Sequence, residues 1–435
     1  MSRDDIVVGL IYGDEGKGTS VNYLVERAFQ ENRPLRYIVR FSGGPQTAHN
    51  VIHNNIHHTF SQLGSGSLQG IPTILTRFVV INPFNLMHEG FSITQKTGWN
   101  PFNELLISEN ALLITPIHRW MNQQKEIARG ADAHGSCGEG VGETRLYDIN
   151  HPDLSLKMRD LLPGNVNTIG GKLSALAAYA EETIGYKWAD PDNNLQSLTE
   201  SYQNLSEDGF LNIVDDEFIS ERLNDGYNIW EGSQGVLLDE SLGFYPHTTW
   251  SSVTPANAQL LLEEAGKERG NVVGVVRTYF TRHGFGPFPS EVTGIPAYEE
   301  FFPEDHNTYG RFQGGWRIGW FDFALFEYAV RAADGVDEFM VSHADKFIEG
   351  MPVVKSYKNM PDIPSDFYNE DFEKQEKVTN FLMSNPTLIL DSMPTLEDFI
   401  TEVEAIGKAP VRYLSYGKTV ADKIERSSSS INSGK

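Results

Sequence analysis

Cysteine is almost missing from this chain of 435 residues, where Cys137 stands alone. A single thiol closes no intramolecular disulfide and builds no cysteine-based metal site, so a disulfide scaffold and zinc-finger chemistry are excluded and a reducing compartment is expected. Long apolar runs are missing too; nothing approaches the roughly 18 consecutive apolar residues that mark a membrane span. The opening Met1-Ser2-Arg3-Asp4-Asp5 is not a charged-then-apolar leader, so a soluble, cytoplasmic protein with no membrane partner is expected. Positive charge is scarce: 35 Lys and Arg stand against 59 Asp and Glu, a net charge of −24. That excess repels polynucleotides, and no basic patch offsets it, so nucleic acid is excluded as a partner and a small anionic substrate must be gripped by local devices. With 40% hydrophobic residues the chain can still bury a large core, which speaks against disorder.

The apolar segments that are present are short and separated by helical stretches. Ile6 to Ile11, Leu35 to Val39, Ile74 to Val80, Val272 to Val276, Phe339 to Val341 and Val411 to Leu414 read as strands. Gly16 to Phe29, Ser174 to Thr183 and Asp322 to Ala332 read as helices. This alternation predicts an α/β fold with a large, mostly parallel central sheet, flanking helices and long active-site loops. The loops are expected at Gly232 to Thr249 and Gly284 to Pro289, where glycine, proline and aromatic residues crowd together. Tyr357 to Asp391 reads as an acidic peripheral region. We expect one catalytic domain over residues 1–425 with peripheral subregions, and a disordered serine-rich tail over residues 426–435.

Gly13-Asp14-Glu15-Gly16-Lys17-Gly18 follows a strand and opens a helix. In that position backbone N–H groups and the helix N-terminus can cradle phosphate oxygens, with Lys17 adding a point charge. It is not a Walker A loop, which requires glycine five residues before Gly16, where Ile11 stands. A nucleotide-binding switch, an ordinary phosphate-loop hydrolase and an inactive paralogue remain as alternatives. The loops at Gly232 and Gly284 are features that a switch would not need.

The turn resembles the GDEGKGK element of the adenylosuccinate synthetases. Further segments follow in that family's order. Arg40-Phe41-Ser42-Gly43-Gly44-Pro45-Gln46-Thr47-Ala48-His49-Asn50 resembles RxxGGxNAGHT. Glu231-Gly232-Ser233-Gln234-Gly235, with Leu237-Leu238-Asp239 and Tyr245-Pro246, resembles EGAQGxLLD and its later YP. Thr281-Arg282-His283-Gly284-Phe285-Gly286-Pro287-Phe288-Pro289 resembles TRVGxGPFP, and the likeness extends through Gly319-Trp320-Phe321-Asp322 to Leu414-Ser415-Tyr416-Gly417.

The resemblance implies a fold related to the P-loop folds and a carbon–nitrogen ligase of purine nucleotide biosynthesis. In such an enzyme a nucleoside triphosphate activates the six-oxygen of a purine nucleoside monophosphate as a phosphoryl ester, and the amine of L-aspartate displaces phosphate. Asp14 matches the base that takes the N1 proton, and His49 and Lys17 match the groups that support the transferring phosphoryl oxygens. Gly13, Glu15, Gly16, Gly18 and Ala48 match the phosphate-binding backbone, and Asp14 with Ala48 matches the ligands of a Mg2+ ion. His49 has a second reading, since His53, His57 and His58 lie nearby and suit a polar strand pair or a metal site.

For the acceptor nucleotide the resemblance points to Gln46, Cys137, Gln234, Thr249 and Arg311, and for aspartate to Thr308, Arg311 and Arg317. The donor base matches His343, Asp345, Ser415 and Gly417. Several positions depart from the family pattern. Gln46 replaces asparagine, Cys137 threonine and Glu139 arginine; His343 stands for lysine in a TKxD element, and the arginine-rich loop thins to Gly310-Arg311-Phe312-Gln313-Gly314-Gly315-Trp316-Arg317. These changes fall where substrates are told apart, so GMP or dGMP stands beside IMP as acceptor and ATP beside GTP as donor. The resemblance also implies a homodimer that shares its acceptor site, with Arg145 as a candidate for the arginine lent across the interface.

Overall fold

The computed structural model describes residues 3–130, 135–188, 194–293, 302, 314–361 and 372–426. Its centre is a ten-stranded sheet. From one edge the order is Lys423–Glu425, Val411–Ser415, Glu338–Ser342, Asn271–Arg277, Asp5–Gly9, Tyr227–Glu231, Leu35–Arg40, Thr73–Leu75, Leu106–Ser108 and Ile213–Val214. Only Lys423–Glu425 runs antiparallel to its neighbour; every other pairing is parallel. Eleven α-helices accompany the sheet among the described residues.

The middle strand shows why the sheet is parallel. Val7 turns to one face, where it packs with Val21, Leu24 and Val25 of the helix Lys17–Gln30. Ile6 and Val8 turn to the other face, against an aromatic core that includes Trp230, Phe244 and Phe280. A strand buried on both faces needs an unbroken apolar run, as Asp5–Gly9 has, and parallel crossovers supply the covering helices. A second core gathers the helices Pro83–Thr97, Pro116–Arg129, Ile169–Ile184 and Leu195–Glu207 beyond the short strands of one side.

The expected strands and helices are present with adjusted ends, and three features differ. The apolar stretch from Ile6 leaves the sheet at Gly9 and continues as the glycine turn. Ile74 to Val80 is divided between Thr73–Leu75 of the main sheet and Val80–Ile81 of a separate two-stranded one, with a turn between them in which the Val79 N–H donates to the Thr76 carbonyl at 3.1 Å. The acidic region after Tyr357 contains the helix Phe372–Met383 and the strand Leu388–Met393, which pairs with Met351–Tyr357.

Candidate active site

Parallel strands place their following loops along one edge of the sheet, the usual position for ligands in open α/β folds. Here the loops after Asp5–Gly9, Leu35–Arg40, Tyr227–Glu231, Asn271–Arg277, Glu338–Ser342 and Val411–Ser415 enclose a cavity of about 1470 Å³. A small-molecule pocket spans roughly 300–1,000 Å³, so this volume has room for more than one ligand.

The glycine turn is held from within. Gly13, Asp14 and Gly16 have φ of 94°, 60° and 95°, a left-handed path that glycine takes freely and that Asp14 must be held in. Glu15 does the holding: its Oε1 accepts the N–H of Ile11 at 3.0 Å and of Gly13 at 2.8 Å, and its Oε2 lies 2.9 Å from Lys17 Nζ. Both side chains are buried. Gly9 makes room for them, since a Cβ there would lie 2.1 Å from Glu15 Oε2. Lys17 thus borders the cavity paired with an anion, and Glu15 works through its side chain beneath the turn. Neither arrangement was foreseen, because both residues had been expected to face phosphate.

Asp14 opens onto the cavity with its carboxylate. Enclosure by protein raises its pKa above the ordinary aspartate value; His283, Lys17 and Arg277 pull it back part of the way and Glu15 pushes it up. Arg277, itself buried, donates to the Asp14 carbonyl at 3.1 Å and to Thr281 Oγ1 at 3.2 Å.

His49 begins the hairpin His49–His53 and Ile56–Phe60 and faces the start of the helix. Gly18 permits that approach, because a Cβ on it would meet His49 Cβ at 2.6 Å. The ring Nδ1 lies 2.6 Å from Glu231 Oε1, and Glu231 Oε2 accepts the Ser65 N–H at 2.8 Å. Burial works against a charged Glu231, yet bonds from His49 and Ser65 and the nearby Arg40 outweigh it and carry its pKa down to about 2. Burial also lowers the pKa of His49, more than Glu231 raises it. Nδ1 therefore carries a hydrogen and donates it to the Glu231 carboxylate, which leaves Nε2 for the cavity. Elsewhere on the hairpin His58 is held by Lys96 and His57 by Asn50, and no group of three or more His, Cys, Asp or Glu that could hold a metal occurs among the described residues.

The lining also includes Gln46, Cys137, Thr249 and, beside the glycine turn, Gln234. Gln46 is unusual: its Oε1 and Nε2 are both buried and neither has a hydrogen-bond partner among the described residues, and Gln234 Oε1 is in the same condition. Cys137 has its thiol pushed up to about 11 by burial. Thr249 donates its N–H to Leu238 O at 2.7 Å. Glu139 is paired with Arg119 at 3.2 Å, and Arg145 lies 3.4 Å from Glu240. At the remaining end His343, in a left-handed turn with φ 55°, donates Nδ1–H to Ser342 Oγ at 2.9 Å, since the hydroxyl hydrogen of Ser342 goes to the Glu15 carbonyl at 2.6 Å, and burial lowers the pKa of His343. Asp345, Ser415 and Gly417 border the same end.

The expectation that Arg317 offers a cation to the cavity is not met. It forks onto Glu291 at 3.0 and 2.6 Å and donates to the carbonyls of Gly284 and Gly286 at 3.0 and 2.9 Å, away from the lining. Thr308 and Arg311 lie outside the described residues, as does the tail from 427. Arg277 and Ser65 were not singled out in the sequence. Arg277 had a usable signal, since it ends an apolar strand at the level where Asp345 follows another.

Comparison with known proteins agrees with this architecture. The adenylosuccinate synthetase family model matches residues 6–427. The adenylosuccinate synthetase of Thermoplasma volcanium is 30% identical, with 96% of each chain covered, and that of Thermoplasma acidophilum is 29% identical over 95% of each. Among solved structures, the fully ligated adenylosuccinate synthetase of Plasmodium falciparum superposes with a TM-score of 0.81 at 20% identity, covering 98% of this chain and 100% of that one. The succinoaminodeoxyadenylate synthetase of cyanophage S-2L, bound to dGMP and to dATP as an energy donor, gives 0.60 at 20% identity, covering 98% and 95%. With the family model spanning nearly the whole chain, the protein belongs to the adenylosuccinate synthetase family and is a carbon–nitrogen ligase of purine nucleotide synthesis.

Proposed function

We propose that this ligase joins L-aspartate to C6 of IMP with hydrolysis of GTP, through a 6-phosphoryl intermediate. The observation that carries the reading is the meeting of the Asp14 carboxylate, His49 and the N-terminus of the helix Lys17–Gln30 in one cavity with room for two nucleotides. A purine six-oxygen is a poor leaving group. Asp14 takes the N1 proton as that oxygen attacks the γ-phosphorus, and the bond to the leaving diphosphate breaks. The amine of aspartate then attacks C6 and expels phosphate. A carboxylate is a weak base for such an N–H, so its raised pKa and the simultaneous loss of electron density to phosphorus both help.

Phosphoryl transfer is served mainly by positioning and by charge placed in advance. The first N–H groups of the helix, Gly16 of the turn, Lys17 where it borders the cavity, and His49 supply this. Asp14 and the backbone of Ala48 are hard oxygen donors on the same wall, which suits Mg2+, an ion that takes one or two protein oxygens and completes its shell with phosphates and water. When bound, Mg2+ would neutralise phosphate charge. We assign the donor base to His343, Asp345, Ser415 and Gly417, the acceptor to Gln46, Cys137, Gln234, Thr249 and Arg311, and aspartate to Thr308 and Arg311. A cytoplasmic homodimer is the assembly that the family resemblance supports.

One observation favours a second acceptor. The unpartnered amide of Gln46 offers a donor and an acceptor together, which fits the N2 amine and N3 of guanine, so GMP or dGMP is the alternative. Mass spectrometry of products from IMP, dIMP, GMP and dGMP, each with aspartate and either GTP or ATP, tests both readings. We expect the aspartate adduct of IMP with GTP; an adduct of dGMP or GMP alone selects the second, and triphosphate hydrolysis that ignores aspartate overturns both.

A further inference from the structure

We propose that Glu231 is a positioning residue for the reaction: it fixes the tautomer and ring plane of His49, so that Nε2 is the nitrogen presented to the transferring phosphoryl group. This rests on the ligase reading above. Glu231 ends the strand next to the central one, its side chain is fully buried, and it makes no contact with the cavity. It reaches the site only through other residues.

Each contact restricts the imidazole further. A carboxylate only accepts hydrogen bonds, so the nitrogen 2.6 Å from Glu231 Oε1 has to carry the hydrogen. That leaves Nε2 to the cavity side. The carboxylate is fixed in turn, since Ser65 donates its N–H to Oε2 at 2.8 Å and its hydroxyl to Oε1. Gly18 packs against the base of the His49 side chain, so close that a Cβ would sit 2.6 Å from His49 Cβ and 3.3 Å from its Cγ. Held between the helix start and Glu231, the ring has one orientation and one tautomer. A carboxylate on the far ring nitrogen performs the same service in other histidine-dependent enzymes, where it orients the imidazole without touching substrate. Neutralising it while keeping an acceptor, as in Glu231→Gln, leaves an amide that can also turn its NH2 toward the ring and favour the wrong tautomer.

The test is a double-mutant cycle with steady-state kinetics on the unmutated protein, Glu231→Gln, His49→Ala and the double variant. We expect Glu231→Gln to lower kcat about 10- to 100-fold, with KM for acceptor and aspartate changed less than about twofold. In the His49→Ala background the same change should cost less than about threefold, because its effect passes through the ring. Full kcat in Glu231→Gln, or equal damage with and without His49, overturns the proposal. A variant that fails to fold does not end the matter, because 15N NMR of the histidine-labelled, unmutated protein reads the tautomer directly, with His49 assigned by its loss in His49→Ala. Hydrogen on Nδ1 is expected, and an Nδ1 without hydrogen refutes it. If the unmutated protein forms no aspartate adduct with any purine monophosphate, the ligase reading falls instead, and the NMR result still judges the contact between Glu231 and His49.

Discussion

Of the residues expected to serve phosphoryl transfer, Lys17 is met by Glu15, His49 by Glu231, and the carbonyl of Asp14 by Arg277. Of the residues assigned to the acceptor, Gln46 Oε1 and Nε2 and Gln234 Oε1 are buried with no hydrogen-bond partner among the described residues. A buried group left unsatisfied costs about 1–3 kcal/mol, so the second set is maintained at a loss that a ligand can repay. The first set is largely paired before substrate arrives, with Arg277 Nε and His283 Nδ1 around it still without a partner among the described residues, which suits electrostatic stabilisation of a transition state. Chemistry is thus built into the fold, and selectivity is left open for the ligand to close.

Removing the base should break this comparison most severely. Asp14→Asn keeps the size of the side chain and loses only the proton acceptor, so we expect product formation to fall by about 10²–10⁴ or more while calorimetry still detects nucleotide binding. Near-normal turnover would exclude Asp14 as the base. In the unmutated enzyme the raised pKa of Asp14 means that protonation, and with it loss of the base, sets in at a higher pH than for an ordinary aspartate. The acid limb of kcat/KM should accordingly lie above about pH 4, and a profile flat down to that value would contradict the assignment.

The two sets of residues should also respond oppositely in stability. Glu15→Ala strands a buried ammonium and two backbone N–H groups, and a lost partner of this kind costs about 3–5 kcal/mol, measurable by urea unfolding. Gln46→Ala removes groups that are already unpaired, so stability should stay level or rise by up to about 1 kcal/mol, while KM for the acceptor rises about tenfold. A marked loss of stability in Gln46→Ala with unchanged KM would show that the amide serves the fold.

How much of this was legible in the sequence varies with the kind of interaction. The strand, turn and helix from Asp5 to Gln30 could be read because apolar runs and glycines are local signals. The strand Tyr227–Glu231, equally central, escaped because Asn228 interrupts its apolar pattern; inside the fold its backbone N–H and side-chain Nδ2 each donate to an oxygen of Asp4. The cavity-lining residues were mostly reachable through the family resemblance, which preserves their order along the chain. Their partners were not. That Glu15 neutralises Lys17 and that Glu231 orients His49 depend on side-chain directions at the ends of neighbouring strands, which spacing does not encode.

Arg317 gives the smallest and most discriminating effect, because sequence and structure disagree about it. As an aspartate-binding cation it should raise KM for aspartate strongly when lost. In the fold it clamps Glu291 and the carbonyls of Gly284 and Gly286, holding the strand Trp316–Gly319 to the loop after Phe280–His283. Both partners of the ion pair are about one quarter exposed, with side-chain accessibilities of 23% and 27%, so solvent screens it. Arg317→Met should therefore lower stability by only about 1–2 kcal/mol, most of it from the carbonyl bonds, and leave KM for aspartate within about twofold. A tenfold rise in that KM at unchanged stability would return Arg317 to the substrate, and would mean that its fork onto Glu291 opens when aspartate binds.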